Sequence, residues 1–280
     1  MSLLEAILLG VVQGLTEFLP ISSTAHLTFC GKIFGLIDLE HPEKWTAFIA
    51  VLQLGTFFAV AGYFRKNIVT IVQSFFSEFI SERRSYQTCS LPAKMGIHII
   101  VGTLPVVVIG LLLKKIIEGG LTKDLWFISG NLMFFALILY VAERNSKRER
   151  TIEELRWSDT IAIGCAQVFA LFPGASRSGV TISAGLFSGL KREAAAEYSF
   201  LLSLPAIFGS GLLEMKEVLY QHKTVSFVPL VAGTVVAGIV GYVSIWFLLR
   251  YLKTHSNNIF IGYRLGLGII ILSYLFFSHV

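Results

Sequence analysis

Two clusters of polar residues, one in each half of an otherwise apolar chain, carry the side chains that could do chemistry. The first reads QGLTEFLPISSTAH from Gln13 to His26, and the second reads QVFALFPGASRSG from Gln167 to Gly179. Each begins three residues after a glycine, passes through apolar residues to a proline, and continues into small hydroxyl residues. Polar and charged side chains are costly at membrane depth unless they meet each other, water or a charged ligand. The clusters therefore indicate a duplicated unit and a functional site.

Gln13 and Glu17 are the first pair of interest, since residues four apart share one face of a helix. A carboxylate and an amide that face a wet cavity suit a hard divalent cation or a proton relay. A plainer interpretation is a helix–helix hydrogen bond from Gln13 and a capping or solvated Glu17. The neighbouring hydroxyls and imidazole favour the functional interpretation.

The loop after Pro20 offers a nucleophile with a candidate base close by. Ser22, Ser23 and Thr24 supply hydroxyls, and His26 follows two or three residues later, within reach through a turn. Serine and threonine also cap helices, so Ser22 or Ser23 is equally a candidate N-cap for the helix that contains His26. The two roles are compatible.

The second cluster opens a helix with small residues whose backbone N–H groups are free, an arrangement that binds phosphate. These residues are Gly174, Ser176 and Ser178. Arg177 adds a planar, permanently charged fork that matches phosphoryl oxygens. Without a ligand, Arg177 would need a carboxylate partner in apolar surroundings, for which Glu17 and Glu197 are the candidates.

The composition places these clusters in a membrane. Mean hydropathy is +0.71, and 54% of the 280 residues are hydrophobic. Only 15% are charged, against about 25% in a soluble protein. Segments near the ~20 residues that a membrane-spanning helix needs predict six spans, at 45–64, 95–113, 125–142, 194–213, 227–249 and 259–277.

The segments that hold the polar clusters are too short and too broken to be ordinary spans. The first consists of apolar runs 3–19 and 26–36 around Pro20, and the second of runs 160–172 and 180–190 around Pro173. Each predicts a re-entrant helix–loop–helix hairpin, because irregular backbone at membrane depth must line a cavity or be buried in protein. The sequence thus predicts an all-α membrane protein with six transmembrane helices and two such hairpins.

One hairpin and three spans make a half. Because three is odd, the second half enters the membrane from the opposite side, which gives an inverted repeat with the site near its interface. We expect one membrane domain over 1–280, with halves 1–142 and 158–280 joined by a cytoplasmic loop, 143–157.

Loop charges orient the chain. Lys and Arg on the side opposite the first hairpin are Arg65, Lys66, Arg83, Arg84, Lys94, Arg144, Lys147, Arg148, Arg150, Arg156, Lys191, Arg192, Arg250 and Lys253. Those on the side of the first hairpin are Lys32, Lys44, Lys114, Lys115, Lys123, Lys216 and Lys223. The positive-inside rule makes the richer side cytoplasmic and places both termini outside. The net charge of +5 is then a topology signal, and it gives no evidence for nucleic acid.

For several residues outside the two clusters we expect a structural role. His98 and Arg264 lie near predicted span ends, where we expect their polar ends to snorkel toward water. Asp159 is expected to be a first-turn or capping residue of the second hairpin. The cysteines, odd in number and widely spaced, are expected to be packing residues. They are Cys30, Cys89 and Cys165.

The stretches QGLTEFLPISSTAH and PGASRSGVT, in this order and half a chain apart, closely resemble the two signature motifs of the undecaprenyl-diphosphate phosphatase family, the bacitracin-resistance type of lipid phosphatase. The resemblance extends over essentially the whole chain. It implies removal of the terminal phosphate of undecaprenyl diphosphate on the outer side of the bacterial cytoplasmic membrane, to regenerate the carrier lipid for peptidoglycan. It also implies a divalent cation, Mg²⁺ or Ca²⁺, and leaves open whether the protein is a homodimer.

The resemblance implies Glu17, Ser23, His26 and Arg177 as the catalytic core, with Glu17 as the metal ligand. It places Ser22, Thr24 and Ser176 beside them. Together with Gln13, Gly174 and Ser178, these are the residues that we expect to bind the substrate. Many relatives have Glu at position 13, whereas this chain has Gln13, which leaves Glu17 as the sole carboxylate of the pair. The expected mechanism is attack by Ser23 assisted by His26, or direct attack by water with His26 as the base.

A lipid-phosphate flippase or a secondary transporter of an anion is the alternative, because inverted repeats with broken helices are also typical of transporters. Such a protein would equally use Arg177 at a helix N-terminus. It would have no use for a serine paired with an imidazole, however, and this favours the enzyme.

Overall fold

The computed structural model describes residues 1–38, 40–220 and 227–278, with side chains left out at 216–220 and 278. Within these residues the chain is helical and contains no β-strand. The helices are α1 Leu3–Phe18, α2 Ser23–Ile33, α3 Pro42–Tyr63, α4 Arg65–Phe75, α5 Leu91–Leu112, α6 Lys114–Glu118, α7 Leu125–Asn145, α8 Trp157–Gln167, α9 Arg177–Phe187, α10 Arg192–Tyr220, α11 Phe227–Leu252 and α12 Asn258–Ser278. Of the basic residues used to orient the chain, Lys223 and the side chain of Lys216 lie outside the described residues.

Six of these helices are long and apolar enough to cross a membrane, and they are the six that the sequence predicts. They are Pro42–Tyr63, Leu91–Leu112, Leu125–Asn145, Arg192–Met215, Phe227–Leu252 and Asn258–Phe277. Their outer faces expose large apolar side chains such as Leu112, Ile239 and Phe277. Such a surface suits lipid, and the protein is a multi-pass membrane protein.

The two polar clusters form two similar pairs of short helices, α1–α2 and α8–α9. Ser22 and Ser176 are the N-caps of α2 and α9, with φ of 74° and 70° and side chains that accept from the backbone N–H three residues on. Positive φ is costly for a residue with a side chain and is often found at functional sites. The predicted break after each first helix is confirmed, and it places both serines in the same strained cap.

Close glycine contacts fix the first helix of each pair against a spanning helix. A Cβ added at Gly10 in α1 would lie 2.4 Å from the carbonyl oxygen of Gly233 in α11. A Cβ added at Gly164 in α8 would lie 2.6 Å from the carbonyl oxygen of Gly102 in α5. Small residues allow helix backbones to approach this closely in membranes, so α1 and α8 make matching close crossings, with α11 and α5 respectively.

Two segments that the sequence assigned to loops have more structure than expected. Residues 65–75 form α4, whose end is followed by a π-helical turn, Phe76–Ser81. The segment between α7 and α8 is held by ion pairs, since Arg150 binds both carboxylate oxygens of Asp159 at 2.7 and 3.0 Å. Asp159 also accepts from the backbone N–H of Arg156, the N-cap residue of α8, which confirms Asp159 as a first-turn residue that helps to cap the helix.

Candidate active site

Glu17 is the centre of the buried polar network. Its Oε2 accepts hydrogen bonds from Gln13 Nε2 at 3.0 Å and from Ser23 Oγ at 2.7 Å. Its Oε1 accepts from Arg177 Nη2 at 3.2 Å. The network joins α1, α2 and α9, so the two polar clusters meet although they are 160 residues apart in sequence. Four of the residues that the sequence singled out therefore share one site.

Arg177 is held between the two halves. Its Nη1 donates to the backbone carbonyl of Ser199 in α10 at 3.1 Å, and its carboxylate partner is Glu17. Glu197, the other candidate partner, lines a separate pocket with Lys66 and Lys94. The Nε of Arg177 is buried and has no hydrogen-bond partner, so this N–H is not engaged by the protein and can donate to a ligand.

His26 is not paired with Ser23. One ring nitrogen, Nδ1, lies 2.7 Å from the carbonyl oxygen of Ser22, and the other, Nε2, lies 2.7 Å from the hydroxyl of Tyr263 in α12. The His26 ring also stacks on the Tyr263 ring, with centroids 5.5 Å apart. The group in hydrogen-bonding reach of the Ser23 hydroxyl is Glu17, which is the difference from the sequence-based expectation.

The remaining hydroxyls of the two clusters make matching pairs. Ser22 Oγ lies 3.1 Å from Thr24 Oγ1, and Ser176 Oγ lies 3.2 Å from Ser178 Oγ. Ser178 Oγ also donates to the backbone carbonyl of Leu19 at 3.1 Å, which ties the second cluster to the first. Ser22, Thr24 and Ser176 line the central cavity, whereas Ser178 is buried beside it.

Gly174 has a positional role. Its φ of 92° is unfavourable for any residue with a side chain, and a Cβ there would lie 2.3 Å from the carbonyl oxygen of Ile128. The glycine lets the turn before α9 pack closely on α7.

Arg264 has a role in this region that its place near a span end does not predict. It is fully buried, so the expected snorkelling toward water is wrong. Its guanidinium donates to four backbone carbonyls, with distances of 2.9 to 3.4 Å. These belong to Pro20, Leu132, Gly174 and Ala175. Arg264 thus holds together the two turns that carry Ser23 and Arg177.

His98 is also buried rather than near water. Its ring nitrogens lie 2.9 Å from the Tyr86 hydroxyl and 2.5 Å from the Thr160 hydroxyl, on the side of α5 that faces α8. The expected snorkelling is wrong here too, because a fixed partner on each nitrogen replaces water.

A cavity of about 400 Å³ opens beside the Glu17 network. Its polar end contains Glu17, Ser22, Ser23, Thr24, Ser176 and Arg177, and Gln167 also contributes to the lining. Its walls are largely apolar, with Ile49, Ala50, Val106, Val107, Leu171, Ile207 and Leu213. Charged residues lie elsewhere along the lining, namely Lys114, Glu118, Lys123 and Glu214. A pocket with one polar end and apolar walls suits an amphiphile with an anionic head group.

Lys123 fixes one wall of this cavity. Its ammonium donates to Thr46 Oγ1 at 2.6 Å and to the backbone carbonyls of Ile117, Glu118 and Gly119. Burial lowers the pKa of Lys123 to about 8, and the negative charge of Glu118 opposes that shift. The contacts link the α6 region to α3.

A divalent cation would find few protein ligands at this site. Among the residues that the structure describes, no three His, Cys, Asp or Glu side chains come together. Glu17 is the carboxylate of the network, and Gln13 Oε1 is a buried oxygen without a partner. Both are hard oxygen ligands of the type that Mg²⁺ and Ca²⁺ prefer. The donor set fits a cation only if most ligands come from a phosphorylated substrate and water.

The fold and site define a helical multi-pass membrane protein with a buried Ser–Glu–Arg network at the polar end of a largely apolar cavity. The sequence model of the family described as Bacitracin resistance protein BacA matches residues 6–270. The chain belongs to this family.

Three relatives can be aligned with this chain over nearly its whole length. An undecaprenyl-diphosphatase of Syntrophobacter fumaroxidans is 50% identical, over 96% of this chain and 95% of its own length. One of Myxococcus xanthus is 49% identical, over 97% and 89%. One of Mycolicibacterium smegmatis is 41% identical, over 98% and 97%.

Proposed function

We propose that this protein hydrolyses undecaprenyl diphosphate to undecaprenyl phosphate and phosphate. The observation that carries the proposal is the hydrogen bond from Ser23 Oγ to Glu17, in a network that also contains Arg177 at the polar end of the cavity. A nucleophile beside a base and a cation is the combination that phosphoryl transfer needs. The names of the relatives, at 41–50% identity, point to the same substrate.

In the proposed mechanism, Ser23 Oγ bonds to the terminal phosphorus while the bond from that phosphorus to the bridging oxygen breaks. The hydroxyl proton passes to Glu17 Oε2, 2.7 Å away, and then to the departing lipid phosphate. Water next attacks the phosphoserine, gives a proton to Glu17, and releases phosphate as Ser23 recovers its proton. His26 contacts the backbone carbonyl of Ser22 through Nδ1. Its role in this mechanism is to position the turn that carries Ser23.

Arg177 supplies the charge that phosphoryl transfer requires. Its unpaired Nε can donate to a phosphoryl oxygen, and its planar fork matches that group better than a lysine would. We propose that Glu17 and Gln13 Oε1 hold a substrate-borne Mg²⁺ or Ca²⁺. Such a cation would neutralise the diphosphate and stabilise the leaving oxygen.

We further propose an inverted repeat with re-entrant hairpins and a site that opens on the outer face of the bacterial cytoplasmic membrane. The matching serine caps, the matching glycine crossings and the excess of basic residues on the opposite side support this arrangement. The apolar outer faces of the spans suit lipid and a second copy equally, so a homodimer stays a prediction.

The orientation is tested by cysteine labelling in intact cells, in a variant without the three native cysteines. A cysteine at Glu43 should react with a membrane-impermeant thiol reagent, whereas one at Lys147 should not. The reverse pattern would overturn the topology.

The activity is tested by phosphate release from undecaprenyl diphosphate with purified protein, with and without EDTA. We expect release that EDTA abolishes and that Ser23→Ala reduces to background. If Ser23→Ala keeps most of its activity, water attacks directly. If wild-type protein releases no phosphate but moves lipid phosphate across vesicles, the protein is a transporter.

A further inference from the structure

Gln167 is a buried amide without a partner in the protein. Its side chain is fully buried and lines the cavity that also contains Glu17 and Arg177. Neither its Oε1 nor its Nε2 makes a hydrogen bond. Most buried polar atoms in proteins are hydrogen-bonded, and an unpaired one is destabilising. An amide left in this state at a cavity wall therefore points to a ligand.

The first polar cluster shows why this amide is free. Gln13 occupies the same place in its cluster as Gln167, three residues after a glycine and nine before the serine cap. The Nε2 of Gln13 donates to Glu17, four residues later. Four residues after Gln167 comes Leu171, which has no acceptor. Where the first half places a carboxylate, the second half leaves a donor available for an anionic oxygen.

The position of Gln167 indicates which oxygen. It lines the cavity together with Ala170 and Leu171, which follow it in the chain, and it makes no hydrogen bond to the network of Ser23 and Glu17. In a polyprenyl diphosphate, the lipid-side phosphate stands between the tail and the terminal phosphate. A donor that lines the cavity beside apolar residues, apart from the hydrogen bonds of the Ser23–Glu17 network, suits that inner phosphate.

We propose that Gln167 binds the lipid-side phosphate of the substrate, the phosphate that remains on the product, through a hydrogen bond from Nε2. The identity of the ligand rests on the proposed function. Arg177 Nε is also buried and unpaired, and Arg177 lines the same cavity. Gln167 is thus a substrate-binding residue that does not take part in the bond changes.

The test compares Gln167→Leu with Gln73→Leu, the same change at an exposed site on α4. The probe is farnesyl monophosphate, which carries only the lipid-side phosphate, and its Kd is measured by calorimetry in detergent. Loss of a hydrogen bond to a charged group should raise the Kd about tenfold or more in Gln167→Leu and leave it unchanged in Gln73→Leu. An unchanged Kd in Gln167→Leu would overturn the proposal.

Vanadate, which mimics the terminal phosphoryl group, separates the two phosphate positions. Its inhibition of phosphate release should be the same in wild type and Gln167→Leu, while KM for the lipid diphosphate rises and kcat changes little. If Gln167→Leu weakens vanadate inhibition as much as it raises KM, Gln167 binds the terminal phosphate and the assignment is refuted.

Thermal unfolding distinguishes binding from a structural role. Leucine removes two unpaired polar atoms, so the ligand-free Tm of Gln167→Leu should equal or exceed that of wild type. A Tm well below that of Gln73→Leu would show a structural role and overturn the proposal. Gln167→Glu keeps the shape of the side chain but loses the N–H donor and places a negative charge near the phosphate, so it should weaken binding further. It replaces the leucine variant in the test if that variant misfolds.

The two proposals fail separately. If wild type releases phosphate and Gln167→Leu binds farnesyl monophosphate normally, only the role of Gln167 is wrong. If wild type releases no phosphate but its binding depends on Gln167, the catalytic function is wrong and the binding site remains.

Discussion

Replacing Arg264 with lysine tests whether one buried cation holds the two catalytic turns. The guanidinium reaches its carbonyl partners through three nitrogens, with Nη2 serving Gly174 and Ala175, Nε serving Leu132 and Nη1 serving Pro20. A lysine side chain donates all of its hydrogen bonds from one nitrogen. Placed at Nη2, it keeps the bonds to Gly174 and Ala175 and leaves the other two carbonyls unpaired.

The expected magnitude follows from those two carbonyls. Each buried acceptor without a partner costs about 1–3 kcal/mol, so the free energy of unfolding should fall by about 2–6 kcal/mol. That loss corresponds to a decrease in Tm of roughly 3–10 °C for a chain of this size. Pro20 lies three residues before Ser23, and a 1 Å shift of a catalytic group can cost about 10²-fold in rate. Activity should therefore fall even below the new Tm.

The assay is thermal unfolding of purified protein in detergent, followed by tryptophan fluorescence, together with phosphate release at a temperature where the variant is folded. Arg250→Lys is the matched control, since Arg250 is exposed and lies 5.8 Å over the Trp246 ring. It should change Tm and activity little. If Arg264→Lys behaves like Arg250→Lys, the two turns do not depend on the guanidinium and the argument is refuted.

Three further substitutions test the site and its support. Glu17→Gln should lower kcat by about 10²–10⁴ because Ser23 loses its proton acceptor, and a larger kcat effect of His26→Gln would restore histidine as the base. Arg177→Lys should lower phosphate release at least tenfold in folded protein; near-normal release would make Arg177 purely structural. Gly10→Ala should destabilise by about 1–3 kcal/mol through overpacking, measured as Tm, whereas Gly62→Ala, with open space around it, should not; equal Tm values would contradict the tight crossing.

Much of the fold could be predicted because its signals are local. Each spanning helix is an uninterrupted apolar segment, and each break follows from a proline and a group of small hydroxyl residues. The meeting of Glu17 with Arg177 was also among the expected ion pairs, because a buried guanidinium needs a carboxylate and the chain offers few at membrane depth. α4 was missed because its mixed polarity resembles a loop between two spans.

The orientation of individual side chains could not be predicted, because distant residues decide it. His26 was expected to face Ser23 from its spacing, but Tyr263, 237 residues away, binds its ring. Arg264 was expected near water because it lies close to a span end, but it is buried and donates hydrogen bonds to four backbone carbonyls of other segments. Those partners appear only when the two turns are packed against α12.

The matching serine caps have a consequence for how such a site can originate. Immediately after each cap, the two halves differ, with Ser23 in one and Arg177 in the other. A dimer of two identical half-chains would present two serines or two arginines at these positions, never one of each. A single chain that carries both turns lets each turn change on its own, so a nucleophile and a cation can meet at one site beneath matching caps.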